Sequence, residues 1–192
     1  MIADFRALND FDEILEKQHY TLPFPEHGLQ FLLLNSAWEI DRHYKKRASL
    51  NQSALHSALA KCQAGLVPIA IWHHAVTGDD KIKGEAHISH LQKQRFRFVL
   101  HGDVHEPRTA LLGHLDPHKS INVVGGGSFA ADAIDRPPSV PQMYNLIEIE
   151  KDCTKARVYV RQREIEGGAF GFYPIQKTTH SGQGFYDIDL RD

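Results

Sequence analysis

Two apolar runs in this chain lead straight into histidine. Val67-Pro-Ile-Ala-Ile-Trp72 ends at His73-His74, and Phe96-Arg-Phe-Val-Leu100 ends at His101-Gly-Asp-Val-His105. A short apolar run bounded by polar residues reads as a strand covered on both faces. Leu29 to Leu34, closed by Asn35-Ser36, reads as a third. Between that run and Val67, Ser49-Leu-Asn-Gln52 has the form of a capping box with Ser49 as N-cap. Leu50, Ala54, Leu55, Ala58 and Leu59 follow at helical spacing and Gly65 supplies a stop, which predicts a helix over 49–61. A second helix is expected over about 84–95. The order strand, helix, strand, helix, strand makes the fold class α/β. Strands near 29–34, 67–72 and 96–101 form its central sheet, the last two as neighbours.

Beyond residue 120 the pattern changes. Ile121 to Val124, Met143 to Ile149 and Ala156 to Glu164 are strand-like and separated by turns rather than helices. That predicts a mixed or antiparallel sheet over 120–165. Phe5, Leu8, Phe11, Ile14 and Leu15 recur at spacings of three and four, which fits one amphipathic helix that Thr21-Leu-Pro-Phe-Pro25 would break. The expected organisation is one domain over 1–192, with a poorly defined N-terminal segment, 1–28, and an irregular C-terminal tail, 166–192.

Composition narrows the function classes. A net charge of −2 gives no electrostatic ground for a nucleic-acid patch. The run Phe31-Leu-Leu-Leu34 is too short for a membrane segment, and no basic stretch followed by an apolar core opens the chain as a signal peptide. Cys62 and Cys153 have no metal-binding spacing, so a reduced, cytoplasmic setting is expected. Arg42 to Arg47, with four basic residues in six, reads as a solvated loop. Gly125-Gly-Gly127 has no Lys-Ser/Thr after it and is not a phosphate loop. Cys153 shows no partner base and is not assigned as a nucleophile.

Histidine is abundant, with thirteen in the chain, so clustered ligands are worth seeking. In open α/β sheets ligands gather outside the carboxyl ends of the strands. His73 and His74 stand at one such end, and His101, Asp103 and His105 at another. Asp103 follows His73 by 30 residues, about one crossover, so both groups can face one crevice. A mixed imidazole and carboxylate set suits Zn, Mn or Fe better than Ca or Mg.

In this order and spacing the two motifs resemble the fourth and fifth motifs of the calcineurin-like metallophosphoesterases. Ile69-Ala-Ile-Trp-His73-His74 is similar to that family's His-His-Pro segment, with Ala75 in place of Pro. Phe98-Val-Leu-His-Gly102-Asp103-Val-His105 is similar to its Gly-His-x-His segment, with Asp103 where the first His stands. Val123-Val-Gly-Gly-Gly-Ser128-Phe129 resembles the strand and turn that follow, and the likeness covers roughly residues 29–165. The resemblance implies the C-terminal half of a metallophosphoesterase-type α/β sandwich with a mixed sheet. It implies His73, Asp103 and His105 as metal ligands, His74 as a substitute for His73, and His73 and His74 as catalytic residues. The cofactor would be a divalent Mn, Zn or Fe ion, two in the complete enzyme, and the substrate a phosphate ester. Nothing before residue 73 matches the family's first three motifs; Asp10-Phe-Asp12 and Pro25-Glu-His27 come nearest and follow no strand. The chain is therefore expected to be a catalytically incomplete phosphoric-ester hydrolase by itself, completed by self-association or by a partner chain carrying the N-terminal half. The alternative is a non-catalytic binding or regulatory module that associates through an open sheet edge.

Overall fold

A computed structural model of the chain describes residues 18–40, 42–43, 48–76, 82–83, 86–102, 108–112, 120–127, 129, 140–165, 167–175 and 182–191. The helix expected over residues 5–15 lies outside them, as do Asp103 and His105. The strands are β1 His19–Phe24, β2 Leu29–Leu34, β3 Val67–Trp72, β4 Phe98–His101, β5 Arg108–Leu112, β6 Ile121–Gly125, β7 Gln142–Ile149, β8 Lys155–Arg163, β9 Gly171–Phe172 and β10 Phe185–Asp189. The helices are α1 Gln52–Ala60 and α2 Ala86–Lys93. No helix among the described residues is long and apolar enough to cross a membrane.

The first sheet has six strands in the order β1-β2-β3-β4-β6-β5. Its four inner strands, β2, β3, β4 and β6, run parallel, and β1 and β5 flank them antiparallel. The expected neighbours β3 and β4 pair as Ile69↔Phe98 through Trp72↔His101. The second sheet is antiparallel, in the order β10-β8-β7, with β9 also on β8. The fold is thus α/β with a mixed sheet. Alternation along the inner strands separates two cores. Leu32, Trp72, Val99 and Val123 point to Leu55, Ala58 and Leu91 of the helices. Ile69, Phe98 and Val124 point to Met143, Val158, Val160 and Ile188 of the second sheet. The inner strands of the first sheet are therefore buried on both faces, which is why they read as nearly unbroken apolar runs.

Local chemistry corrects the sequence reading in three places. The N-cap of α1 is Asn51, not Ser49: Asn51 Oδ1 accepts from Ser53 N at 3.0 Å and Ala54 N at 3.1 Å. Asn caps at least as well as Ser, and Ser49 is engaged elsewhere, its hydroxyl donating to Glu39 Oε2 at 2.8 Å. Residues 19–24 form a strand despite Pro23, because β1 is an edge strand of its sheet, where a missing N–H is tolerated. Within the tail expected to be irregular, Phe185–Asp189 forms β10, with Tyr186 and Ile188 buried and Asp187 and Asp189 outward. Two buried residues were too few to stand out against the glycines around them.

Buried Gln30 shapes the return from α1 into β3. Its amide donates to Gln63 O at 3.0 Å and Leu66 O at 3.2 Å, and its carbonyl accepts from Gln63 N at 2.8 Å. This pins the loop around Gly65, whose φ of +84° suits glycine. β3 thereby enters the sheet in the register that sets where its last residue falls.

Candidate metal centre

The parallel strands β2, β3, β4 and β6 all end on one rim of the first sheet. Trp72 pairs with His101, and His101 with Gly125, so the residues that follow share that rim. His73 lies exposed just beyond β3 and His74 is half-buried beside it, their rings 5.0 Å apart and near perpendicular. Gly102 follows β4. An added Cβ there would stand 3.2 Å from His73 Nδ1 and 3.5 Å from His73 O. The glycine therefore lets the two strand ends close on each other, with the His73 ring against the backbone at which the segment Asp103-Val-His105 begins.

The four sequence-derived candidates divide accordingly. His73 and His74 are adjacent on the rim. Asp103 and His105 lie outside the described residues, and among the described residues no group of three His, Cys, Asp or Glu side chains converges in a metal-binding arrangement. His101 is buried, and its Nδ1 donates to Gly102 O at 2.8 Å. That bond folds the imidazole back on its own chain and stiffens the turn. His87, on α2, is buried edge-on against Trp72 at 5.8 Å and belongs to the core. The thiols of Cys62 and Cys153 are both free, and burial pushes each above its ordinary pKa, which leaves little thiolate for attack.

One residue of the rim was missed from sequence. Ser36, two residues past β2 and 2% exposed, places its hydroxyl among three groups of the β3 end. Oγ accepts from His73 N at 3.2 Å and from His74 N at 3.3 Å, and lies 2.8 Å from His74 Nδ1. Asn35 turns the chain so that this is possible: its Oδ1 accepts from Ala37 N at 2.8 Å. Ser36 O also accepts from Ser49 N at 3.1 Å, joining the approach to α1 to the same point. The available signal was positional, since Asn35-Ser36 follows an apolar run just as His73-His74 does. Another tie reaches the rim from the second sheet, where Asn145 Nδ2 of β7 donates to Gly125 O at 3.1 Å. Gly127 carries packing: a Cβ there would meet Met143 Cβ at 2.5 Å, so glycine is needed where β6 leaves over β7.

No protein-family model matches the sequence, and no curated protein matches it either. Among solved structures, the fold is similar to a purple acid phosphatase, PPD1, isolated from seeds of yellow lupin (Lupinus luteus). The TM-score is 0.52 at 13% identity, covering 91% of this chain and 33% of that one. Vps29 of Entamoeba histolytica, complexed with zinc, aligns over 91% of this chain and 61% of its own, at 10% identity and a TM-score of 0.36. The chain thus spans about a third of the phosphatase it resembles, and the likeness is one of fold: the α/β arrangement with its mixed sheet is shared with that phosphatase.

Proposed function

We propose that this chain is the portion of a metal-dependent phosphoric-ester hydrolase that carries one side of its metal centre. The carrying observation is the closure of Gly102 on the His73 ring, a cradle that a Cβ would fill, at the adjoining ends of two parallel strands. The donor set fits a divalent ion: His73 would hold it with Asp103 and His105, which follow Gly102 within three residues, and imidazole with carboxylate suits Zn, Mn or Fe. Such an ion supplies positive charge to phosphoryl oxygens and makes water a better nucleophile at neutral pH. The chain's own residues contribute the rest. Gly102 and the β3–β4 register hold the His73 ring at the rim, the His101–Gly102 bond stiffens the turn leading to Asp103, and Ser36 anchors the backbone of both histidines.

Three candidate ligands suffice for one ion, the usual number of protein ligands in a catalytic zinc site, and low turnover is expected because losing even one preorganised charge-stabilising group typically costs about 10²–10³ in rate. The expected result is measurable binding of Zn²⁺ or Mn²⁺ by calorimetry, lost in His73→Ala and His105→Ala, with little or no hydrolysis of a generic phosphodiester or phosphomonoester. Robust turnover abolished by His105→Ala would overturn the incomplete-enzyme part of this reading. Zinc binding unchanged in His73→Ala would overturn the metal centre. The second reading, a non-catalytic binding module, draws on exposed Phe129, Leu146 and Phe172, which are 58%, 55% and 57% accessible at or near the second sheet. It predicts association without metal dependence.

A further inference from the structure

We propose that Ser36 is a positioning residue that divides the roles of the paired histidines, fixing His74 as a hydrogen-bond donor through Nε2–H and leaving His73 as the metal-facing ring. A serine hydroxyl has two acceptor positions and one proton. Both acceptor positions are taken by backbone N–H groups, from His73 at 3.2 Å and His74 at 3.3 Å. The proton then goes to the remaining neighbour, His74 Nδ1, at 2.8 Å. A ring whose Nδ1 accepts a hydrogen bond carries its own proton on Nε2. That nitrogen then has no lone pair for a metal, and Nδ1 has spent its lone pair on the serine. His74 is thus withdrawn from the ligand set by a group just beyond the end of a different strand.

His73 is under no such constraint from Ser36, which meets only its backbone. Its Nδ1 faces Gly102, where the absent Cβ leaves room. Ser36 also fixes the turn presenting both rings, because its two backbone acceptances hold the His73–His74 peptide against the end of β2. Burial makes the arrangement stringent: at 2% exposure, water cannot replace the hydroxyl without rebuilding the turn. The tautomer of His74 follows from the hydrogen bonds alone, whereas the ligand role of His73 rests on the metal-centre reading above.

The test is a long-range ¹H–¹⁵N spectrum of the chain with ¹⁵N-labelled histidine, the His74 ring assigned by its disappearance in His74→Gln. The expected wild-type pattern is an unprotonated, hydrogen-bonded Nδ1 and a protonated Nε2. Ser36→Ala should convert it to a mixture of tautomers, and Ser36→Thr, which keeps the hydroxyl, should restore it. Zn²⁺ should then shift a ring nitrogen of His73 and leave the His74 pattern intact, with affinity lowered about 10–100-fold in Ser36→Ala. A protonated Nδ1 in wild-type His74, or zinc coordination by His74, would overturn the proposal, and the wild-type spectrum alone decides this if Ser36→Ala does not fold. The expected tautomer with no histidine responding to zinc would uphold Ser36 as the positioning group and overturn the metal-centre reading instead.

Discussion

Glycine at position 102 is the residue on which the rim geometry turns. A methyl group there would stand 3.2 Å from His73 Nδ1, closer than unstrained packing allows, with the backbone oxygen at 3.5 Å behind it. The His73 ring is exposed rather than part of the core, so Gly102→Ala should leave the fold intact while turning the imidazole away. The expected outcome is a zinc affinity reduced about tenfold or more with the melting temperature changed by only a few degrees, read by calorimetry and thermal unfolding; orientation groups of this kind typically govern about 10–100-fold in metal affinity. A second residue-scale prediction concerns Asp189. Hydrogen bonds from the Arg191 side chain and backbone hold its carboxyl well below the usual carboxylate range. A depressed folded-state pKa contributes stability above the unfolded value, lost as pH falls through the folded one. Arg191→Ala should therefore move the Asp189 titration back up toward the ordinary aspartate range, read by carboxyl NMR; a titration that stays put would refute the pairing. The place of His73 on the rim was legible from sequence because it terminates an apolar run. Ser36 was not, because a lone serine after a strand looks like any turn residue. Its role appears only once β2 and β3 pair in parallel and put residue 36 opposite residue 74, a contact that no local pattern encodes.

At the scale of elements, helix α1 depends on one side chain at its start. Asn51 Oδ1 satisfies two N–H groups that would otherwise lack partners, since the first turn of a helix has no carbonyls ahead of it. Asn51→Ala should destabilise the chain by about 1 kcal/mol, with Asn51→Ser or Asn51→Asp close to neutral. Urea denaturation would measure the difference as a lowered midpoint at unchanged slope. Ser49→Ala, on a capping-box reading, would cost as much; on the observed geometry it loses a hydrogen bond to Glu39 and leaves the helix start untouched. The inner strands were readable because burial on both faces writes continuous apolar runs. The edge strands and β10 were not. β1 contains Pro23, and β10 alternates only two buried residues with charged ones, so both resemble loops until a neighbour pairs with them.

At the scale of the molecule, the asymmetry of the layers sets the remaining expectation. The inner strands of the first sheet have helices on one face and the second sheet on the other, so both their faces are covered. The second sheet is covered on its inner face. Its outer face carries Leu146 and Phe172, more than half exposed, and the stacked Phe129 and Phe170 rings, 5.4 Å apart, pack against Tyr144 of β7. β7 has a single neighbour among the described strands, so it also offers an edge for pairing. Against association stand the arginines of β8: Arg157 pairs with Asp187 and lies 4.4 Å from the Phe185 ring centroid, and Arg161 lies over Tyr159. These keep part of the face solvated and oppose a second copy bringing the same positive charges. The balance favours weak, concentration-dependent self-association through the Leu146–Phe172 part of the face. Sedimentation velocity over a wide concentration range should show the average mass rising, at tens of micromolar or above. Leu146→Glu and Phe172→Glu should each suppress that rise without lowering the melting temperature, because exposed side chains contribute little to the folded core. If the mass stays monomeric throughout, the outer face is adequately solvated by its arginines and the binding-module reading loses its main support. If association survives both substitutions, the contact lies instead along the backbone of β7, where side-chain changes on the outer face would have little purchase.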